Sequence, residues 1–211
     1  MKPFNKYKIL IILFFFTFNS CSDDGGTPLP AEEYLQIINL HAPMTGGQGQ
    51  EPSGGSYTKF NFSTGEVTTS ETDWDIAFRG TTIIVNGGTS IVAADEPQRN
   101  GNAAAYIENI VFSAVSSVNQ SLFLQDSSNG FAIPTGSGNG WYTYTGPPDH
   151  LIFPIPGITL VFRTHDSKYA KVEILSYYKD APTNPNFMSS ESRYYTFNYL
   201  YNPNEKDFNL N

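Results

Sequence analysis

Beyond residue 32 the apolar positions of this chain alternate with polar ones over short runs, and no stretch sustains a 3.6-residue period. Gly, Asn, Pro and Ser clusters separate the runs, many of which are β-branched or aromatic. The pattern predicts an all-β, mostly antiparallel fold with at most one or two short helices. In "TDWDIAFRG", Trp74, Ile76 and Phe78 alternate with Asp73, Asp75, Ala77 and Arg79, the signature of a strand with one face buried and one solvated. "TTIIVNGGTSIVAA" reads as two short strands around Asn86-Gly87-Gly88, because Asn-Gly supplies the positive φ of a tight hairpin. "GITLVFRT" and "KYAKVEILSYY" are two further strands joined at His165-Asp166-Ser167. "RYYTFNYLYN" sets Tyr195, Phe197, Tyr199 and Tyr201 on one side, as sheet core rather than a ligand cage. "NAAAYIENIVFSAVSSV" admits one short helix from Ala103, which its β-branched residues oppose. The stretches "HAPMTGGQGQEPSGG" and "DSSNGFAIPTGSGNG" are long surface loops, where binding residues often stand.

The ends change this picture. Lys2, Lys6 and Lys8 precede the apolar run Ile9 to Phe16, which is too short to span a bilayer and is followed by Ser20 and Cys21; residues 1–20 read as a secretory signal. Cys21 is the only cysteine, so no disulfide forms within the chain. "FNSC" resembles a bacterial lipobox, which implies cleavage before Cys21 and acylation of its thiol. "CSDDGG" resembles the acidic segment behind the lipid cysteine in surface-exported lipoproteins of the Bacteroidetes, which implies the outer face of the outer membrane. Residues 21–31 then form a lipidated, flexible tether and residues 32–211 a single β domain. The chain carries 20 acidic and 12 basic residues, a net charge of −8, and the signal takes only basic ones with it. That acidity, with no basic stripe, excludes a nucleic-acid partner.

Candidate chemistry is sparse. No nucleophile elbow, phosphate loop or dinucleotide fingerprint occurs, three scattered histidines form no short-spaced zinc motif, and the one thiol is assigned to lipid. Asp73 and Asp75 have the spacing of an acid pair, but read first as the solvated face opposite Trp74. The expectation is a protein that is not an enzyme. "GPPDHLIFPIPG" stands apart, because two prolines on either side of His150 make a stiff loop. Such a loop either holds an imidazole toward a ligand, with Asp149 or a backbone carbonyl orienting the ring, or is a rigid corner that carries a histidine.

Longer stretches carry a family resemblance. "GWYTYTGPPDHLIFPIPGITLVFRTHDSKYAKVEILSYYKDAP", followed by "RYYTFNYLYNPN", resembles the HmuY family of Bacteroidetes lipoproteins, whose best-known members bind haem. "TDWDIAFRG" followed by "IIVNGG" is similar to the family's N-terminal pattern. The resemblance spans roughly residues 35 to 205. It implies a compact antiparallel β fold and haem capture in partnership with an outer-membrane receptor of the TonB-dependent type. It also implies two axial ligands, a histidine or a methionine pair, from separate loops. His150 stands about where the second is expected, with Tyr142, Tyr144 and Phe153 flanking it as pocket candidates. The first is expected around residues 115–125, where "VSSVNQSLFLQ" has no His, Met or Cys. Met44, His41, Met188 and His165 are weaker ligand candidates; each also reads as an ordinary loop side chain, and His165 as a solvent-exposed turn residue. The alternative is an HmuY-like lipoprotein without haem that binds a protein partner, a glycan or another ligand. Replacing the one thiol by Cys21→Ser is expected to leave a soluble protein; a variant that still partitions with membranes through a lipid would overturn the anchor reading.

Overall fold

The computed structural model describes residues 34–46, 53–91, 95–204 and 209–210; the signal, Cys21 and the 21–31 tether lie outside the described residues. Eleven strands appear among the described residues: β1 (Leu35–His41), β2 (Thr58–Asn61), β3 (Glu66–Thr68), β4 (Ile76–Arg79), β5 (Thr82–Val85), β6 (Ala104–Glu108), β7 (Tyr142–Tyr144), β8 (Ile152–Pro154), β9 (Thr159–Arg163), β10 (Tyr169–Tyr178) and β11 (Ser192–Asn202). They form a five-stranded sheet in the order β1-β11-β10-β9-β6, a four-stranded sheet β3-β2-β4-β5, and the hairpin β7-β8. Every strand pair is antiparallel. The expected all-β class is therefore what the chain adopts.

The core lies between the two larger sheets. Tyr195, Phe197 and Tyr199 project from β11 on alternate positions and are almost completely buried. They meet Phe60, Phe62 and Phe78, with ring centroids 4.7 Å apart for Phe78–Tyr195, 5.5 Å for Phe60–Phe197 and 5.6 Å for Phe62–Tyr199. The other face of the five-stranded sheet is covered as well, by Phe112, Val115 and Leu210 against Tyr106, Val161, Tyr169 and Leu200. Lys171 on that face is fully buried. Its ammonium donates to the carbonyls of Phe112 and Val115 at 3.0 and 2.9 Å and lies 4.6 Å from the Phe112 ring centroid, which compensates a charge taken out of water.

Three local expectations give way to tertiary packing. First, β4 is buried on both faces: Ile76 and Phe78 enter the main core, while Ala77 joins Trp74, Tyr57 and Ile84 in a separate cluster. Trp74 precedes the strand and sits with the opposite face from Ile76. Asp75, expected in solvent, is buried; its carboxylate accepts the Phe62 N–H at 2.7 Å and the His165 N–H at 2.9 Å. Second, the hairpin turn falls at Gly80-Thr81, between β4 and β5, and not at Asn86-Gly87-Gly88. Asn86 is a buried polar hub instead. Its amide donates to the carbonyls of Thr72 and Trp74, and its Oδ1 accepts the N–H groups of Asn100 and Gly101. Gly87 is required because a Cβ there would lie 1.9 Å from the Ala103 carbonyl. Third, the alanine-rich stretch from Ala103 is not helical but forms β6, paired with β9; among the described residues only Phe112–Ala114 and Gln120–Leu122 make single 3-10 turns. A place in the sheet outweighs alanine's helix propensity.

One buried ion cluster ties loops to the four-stranded sheet. Arg99 Nη2 lies 2.9 Å from Asp126 Oδ2 and 3.1 Å from Glu96 Oε2, with all three side chains at 1 % exposure or less. Asp126 also accepts the Val85 N–H at 3.1 Å and the Ala132 N–H at 2.9 Å. Burial pushes its carboxyl above the ordinary carboxylate range, and the Ala132 N–H and Arg99 offset part of that. Asp126→Ala removes one of the two carboxylates that Arg99 holds and strands two buried backbone donors, so we expect a loss of about 3–5 kcal/mol in denaturant unfolding; a loss below about 1 kcal/mol would show that the cluster does not hold the loops.

Candidate functional site

At one end of the five-stranded sheet β10 finishes in Tyr177 and Tyr178, and β11 begins with Ser192 and Arg193. These residues wall a cavity of about 640 Å³, which the β7-β8 hairpin flanks with Tyr142, Tyr144 and Ile152. The hairpin is fixed by three hydrogen bonds. Trp141 Nε1 donates to the Thr81 carbonyl at 2.9 Å, the Ile152 N–H donates to the Tyr178 hydroxyl at 2.9 Å, and the Ile155 N–H donates to the Trp141 carbonyl at 2.9 Å. Strand alternation decides which hairpin side chains face the cavity. Tyr142, Tyr144 and Ile152 share one side, and Phe153, opposite Thr143, takes the other, beside Pro154 and Leu175.

His150 also walls this cavity. Its loop is closed on itself by the His150 N–H to the Gly146 carbonyl at 2.8 Å and by Thr145 N–H to the Leu151 carbonyl at 2.9 Å. His150 takes a left-handed φ of 51°, which turns the backbone sharply between the prolines. The ring is oriented by Tyr144, whose hydroxyl is hydrogen-bonded to His150 Nδ1, and it lies 5.1 Å from the Phe187 ring. Asp149 is exposed, and Tyr144 does the orienting that the sequence reading gave to Asp149 or a carbonyl. With Nδ1 engaged, Nε2 is the nitrogen left to meet a ligand.

Met44 is a wall of the same cavity, whereas His41, Met188 and His165 are not. His41 stacks on Tyr194 at 4.5 Å, and Met188 is 85 % exposed. His165 stands in the β9-β10 turn but is not simply solvated. Nδ1 lies 2.7 Å from Asp75 Oδ1, and Nε2 lies 3.3 Å from Asp73 Oδ1. Asp75, His165 and Asp166 bring possible ligand atoms within 4.8 Å of one another. Those atoms are committed to protein partners: Asp75 to backbone N–H groups, and Asp166 to Lys168 Nζ at 2.7 Å and Thr164 Oγ1 at 2.6 Å.

Sequence reasoning did not single out Tyr177, Tyr178, Phe187 or Arg193, which the fold brings to the cavity. The two tyrosines end the strand run "KYAKVEILSYY", and Arg193 opens "RYYTFNYLYN". Among the described walls Arg193 is the only formally charged side chain, and no carboxylate is present. Burial pushes the Tyr177 and Tyr178 phenols up, Tyr177 the further, so both stay protonated donors at neutral pH. The cavity can therefore take an amphipathic, anionic ligand with a Lewis-acidic centre.

A family model described as HmuY protein matches residues 55–199. The chain is similar to the structure of an apo HmuY analog from Tannerella forsythia, at 15% identity and a TM-score of 0.42, over 82% of this chain and 97% of that one. It is also similar to a candidate lipoprotein from Bacteroides fragilis, at 15% identity and a TM-score of 0.44, over 79% and 88% of the two chains. No curated protein matches the chain.

The Asp75 hydrogen bond, helped by the charges of Asp75, Asp166 and Asp73, raises the His165 pKa against a smaller effect of burial. A base held protonated by folding stabilises fully below its unfolded pKa of about 6.5 and loses that contribution as pH rises through the raised folded value. The stability gap between the native chain and His165→Gln should therefore be widest near about pH 5.5 and narrow through neutrality. A gap that widens with pH in denaturant titrations would contradict the assignment.

Proposed function

The chain belongs to the HmuY family, and from that premise and the cavity we propose that it captures haem for haem and iron acquisition, by binding and not by catalysis. The observation that carries this reading is His150, whose Nδ1 is taken by Tyr144 and which walls an aromatic cavity with no carboxylate among its described walls. Three chemistries of haem have counterparts there. The porphyrin face suits Tyr142, Tyr144 and Phe187, the propionates suit the Arg193 guanidinium, and the iron suits the His150 imidazole. A volume of about 640 Å³ lies within the range of about 300–1,000 Å³ usual for small-molecule sites. When bound, haem supplies an iron that accepts a nitrogen lone pair; the protein supplies orientation, exclusion of water and charge complementarity.

The same reading anchors the domain by an acylated Cys21 on the outer membrane, facing outward on the tether of residues 21–31. An outer-membrane receptor of the TonB-dependent type is the partner to which haem would pass. The lipid-anchored position supports this, because a ligand captured outside the cell needs an active importer.

Titration of the purified full chain with haem, followed by absorbance in both oxidation states, tests the proposal. We expect a saturable Soret shift, and a loss of affinity of more than about tenfold in His150→Ala. A flat titration of the native chain would refute haem capture. An unchanged spectrum and affinity in His150→Ala would leave haem capture standing and remove His150 from the iron.

A further inference from the structure

Resting on the haem reading above, we propose that the Met44 thioether is the second iron donor of this cavity. The family resemblance looks for that donor in residues 115–125, but this stretch is used elsewhere. Val115 packs with Phe112 on the outer face of the five-stranded sheet, and its carbonyl holds the buried Lys171. Asn119 donates its N–H to the Tyr106 hydroxyl, Gln120 reaches the Tyr169 hydroxyl, and Leu124 pairs with Ala105. No residue of 115–125 is among the described walls of the cavity.

Among those walls, the atoms able to coordinate iron are His150 Nε2, Met44 Sδ and four phenol oxygens. The phenols are otherwise engaged. Tyr144 is hydrogen-bonded to His150, Tyr178 accepts the Ile152 N–H, and Tyr142 accepts the Thr81 hydroxyl at 3.4 Å. Tyr177 is buried, and burial disfavours the phenolate an iron would need. The thioether carries no proton, needs no deprotonation and loses little on leaving water.

Met44 is also held in place. Its carbonyl accepts Arg193 Nη1 at 2.7 Å, the Ala42 N–H donates to the Arg193 carbonyl at 2.8 Å, and the Gly80 N–H donates to the Ala42 carbonyl at 3.0 Å. Its sulfur rests on Gly80, where a Cβ would stand 2.8 Å from Sδ. The 42–46 segment is thereby pinned to the start of β11 and to the β4-β5 turn, while His150 rides on the β7-β8 hairpin. One cavity thus receives a nitrogen and a sulfur donor from two separately anchored segments, and sulfur ligation favours the ferrous state.

The test compares the full chain with Met44→Leu, a near-isosteric change that keeps packing volume, and with Met44→His. We expect native ferric haem protein to show a low-spin spectrum with the far-red sulfur-to-iron charge-transfer band. Met44→Leu should lose that band, turn high-spin and weaken ferrous haem affinity by at least about tenfold. Met44→His should restore a low-spin spectrum without the band, which also guards against a Leu variant that fails to fold. A native haem complex without the band, or one identical in Met44→Leu, would overturn the methionine assignment and leave haem capture intact. No Soret shift in the native chain would overturn both.

Discussion

The interaction on which the rest of the molecule depends is the interleaving of Tyr195, Phe197 and Tyr199 of β11 with Phe60, Phe62 and Phe78 of the opposing sheet. Tilted and edge-on ring pairs of this kind add about 0.5–1.5 kcal/mol each beyond the area they bury, and they also fix the register in which two sheets meet. β11 pairs with both β1 and β10, so its register propagates through the larger sheet. The strands of the smaller sheet are three or four residues long, whereas β10 and β11 have ten and eleven. The long pair therefore outruns the smaller sheet. The Gly80 carbonyl, bonded to the Tyr195 hydroxyl at 2.8 Å, marks where the smaller sheet stops. Beyond it Tyr177, Tyr178, Ser192 and Arg193 have only the β7-β8 hairpin and loops to face, and the cavity is the space left between them.

Short strands leave long connections whose backbone groups need partners. The fold meets this need with a few buried polar side chains. Asp126 holds the end of β5 and the 126–132 loop, Asn86 gathers four backbone groups, Asp75 fastens the β9-β10 turn, and Lys171 closes the Phe112–Ala114 turn. Each side chain substitutes for hydrogen bonds that a longer strand would have made. Removal of any of them leaves several unsatisfied groups at once.

Period-2 alternation made β9, β10 and β11 legible in the sequence, because each of these strands has one clearly aromatic or aliphatic face. The same rule misread the stretch around Trp74. A second, smaller cluster behind β4 buries Ala77, and Asp75 is buried to serve backbone donors, so the polar positions there were not solvent positions. Asn86-Gly87 looked like a hairpin because local chemistry permits one, yet Gly87 is demanded by a chain crossing from Ala103, a contact 16 residues away that no local pattern encodes. For the site, the prolines around His150 marked a stiff loop, and the fold sets that loop at the cavity wall. Arg193, Tyr177 and Phe187 carried no local signal, because they reach the cavity through strand length and sheet order.

The charge of the cavity runs against that of the chain. With a net charge of −8 the long-range field repels an anionic ligand, but fields from exposed carboxylates decay over about 8 Å at physiological ionic strength. Inside the cavity the local balance decides, and there Arg193 stands without a carboxylate among the described walls. Arg193 takes a left-handed φ of 70° at the start of β11, and its guanidinium already holds the Met44 carbonyl. An anion that draws on this guanidinium therefore acts on the same residue that fixes the 42–46 segment. Recognition of an anion and placement of Met44 are thereby linked through one side chain.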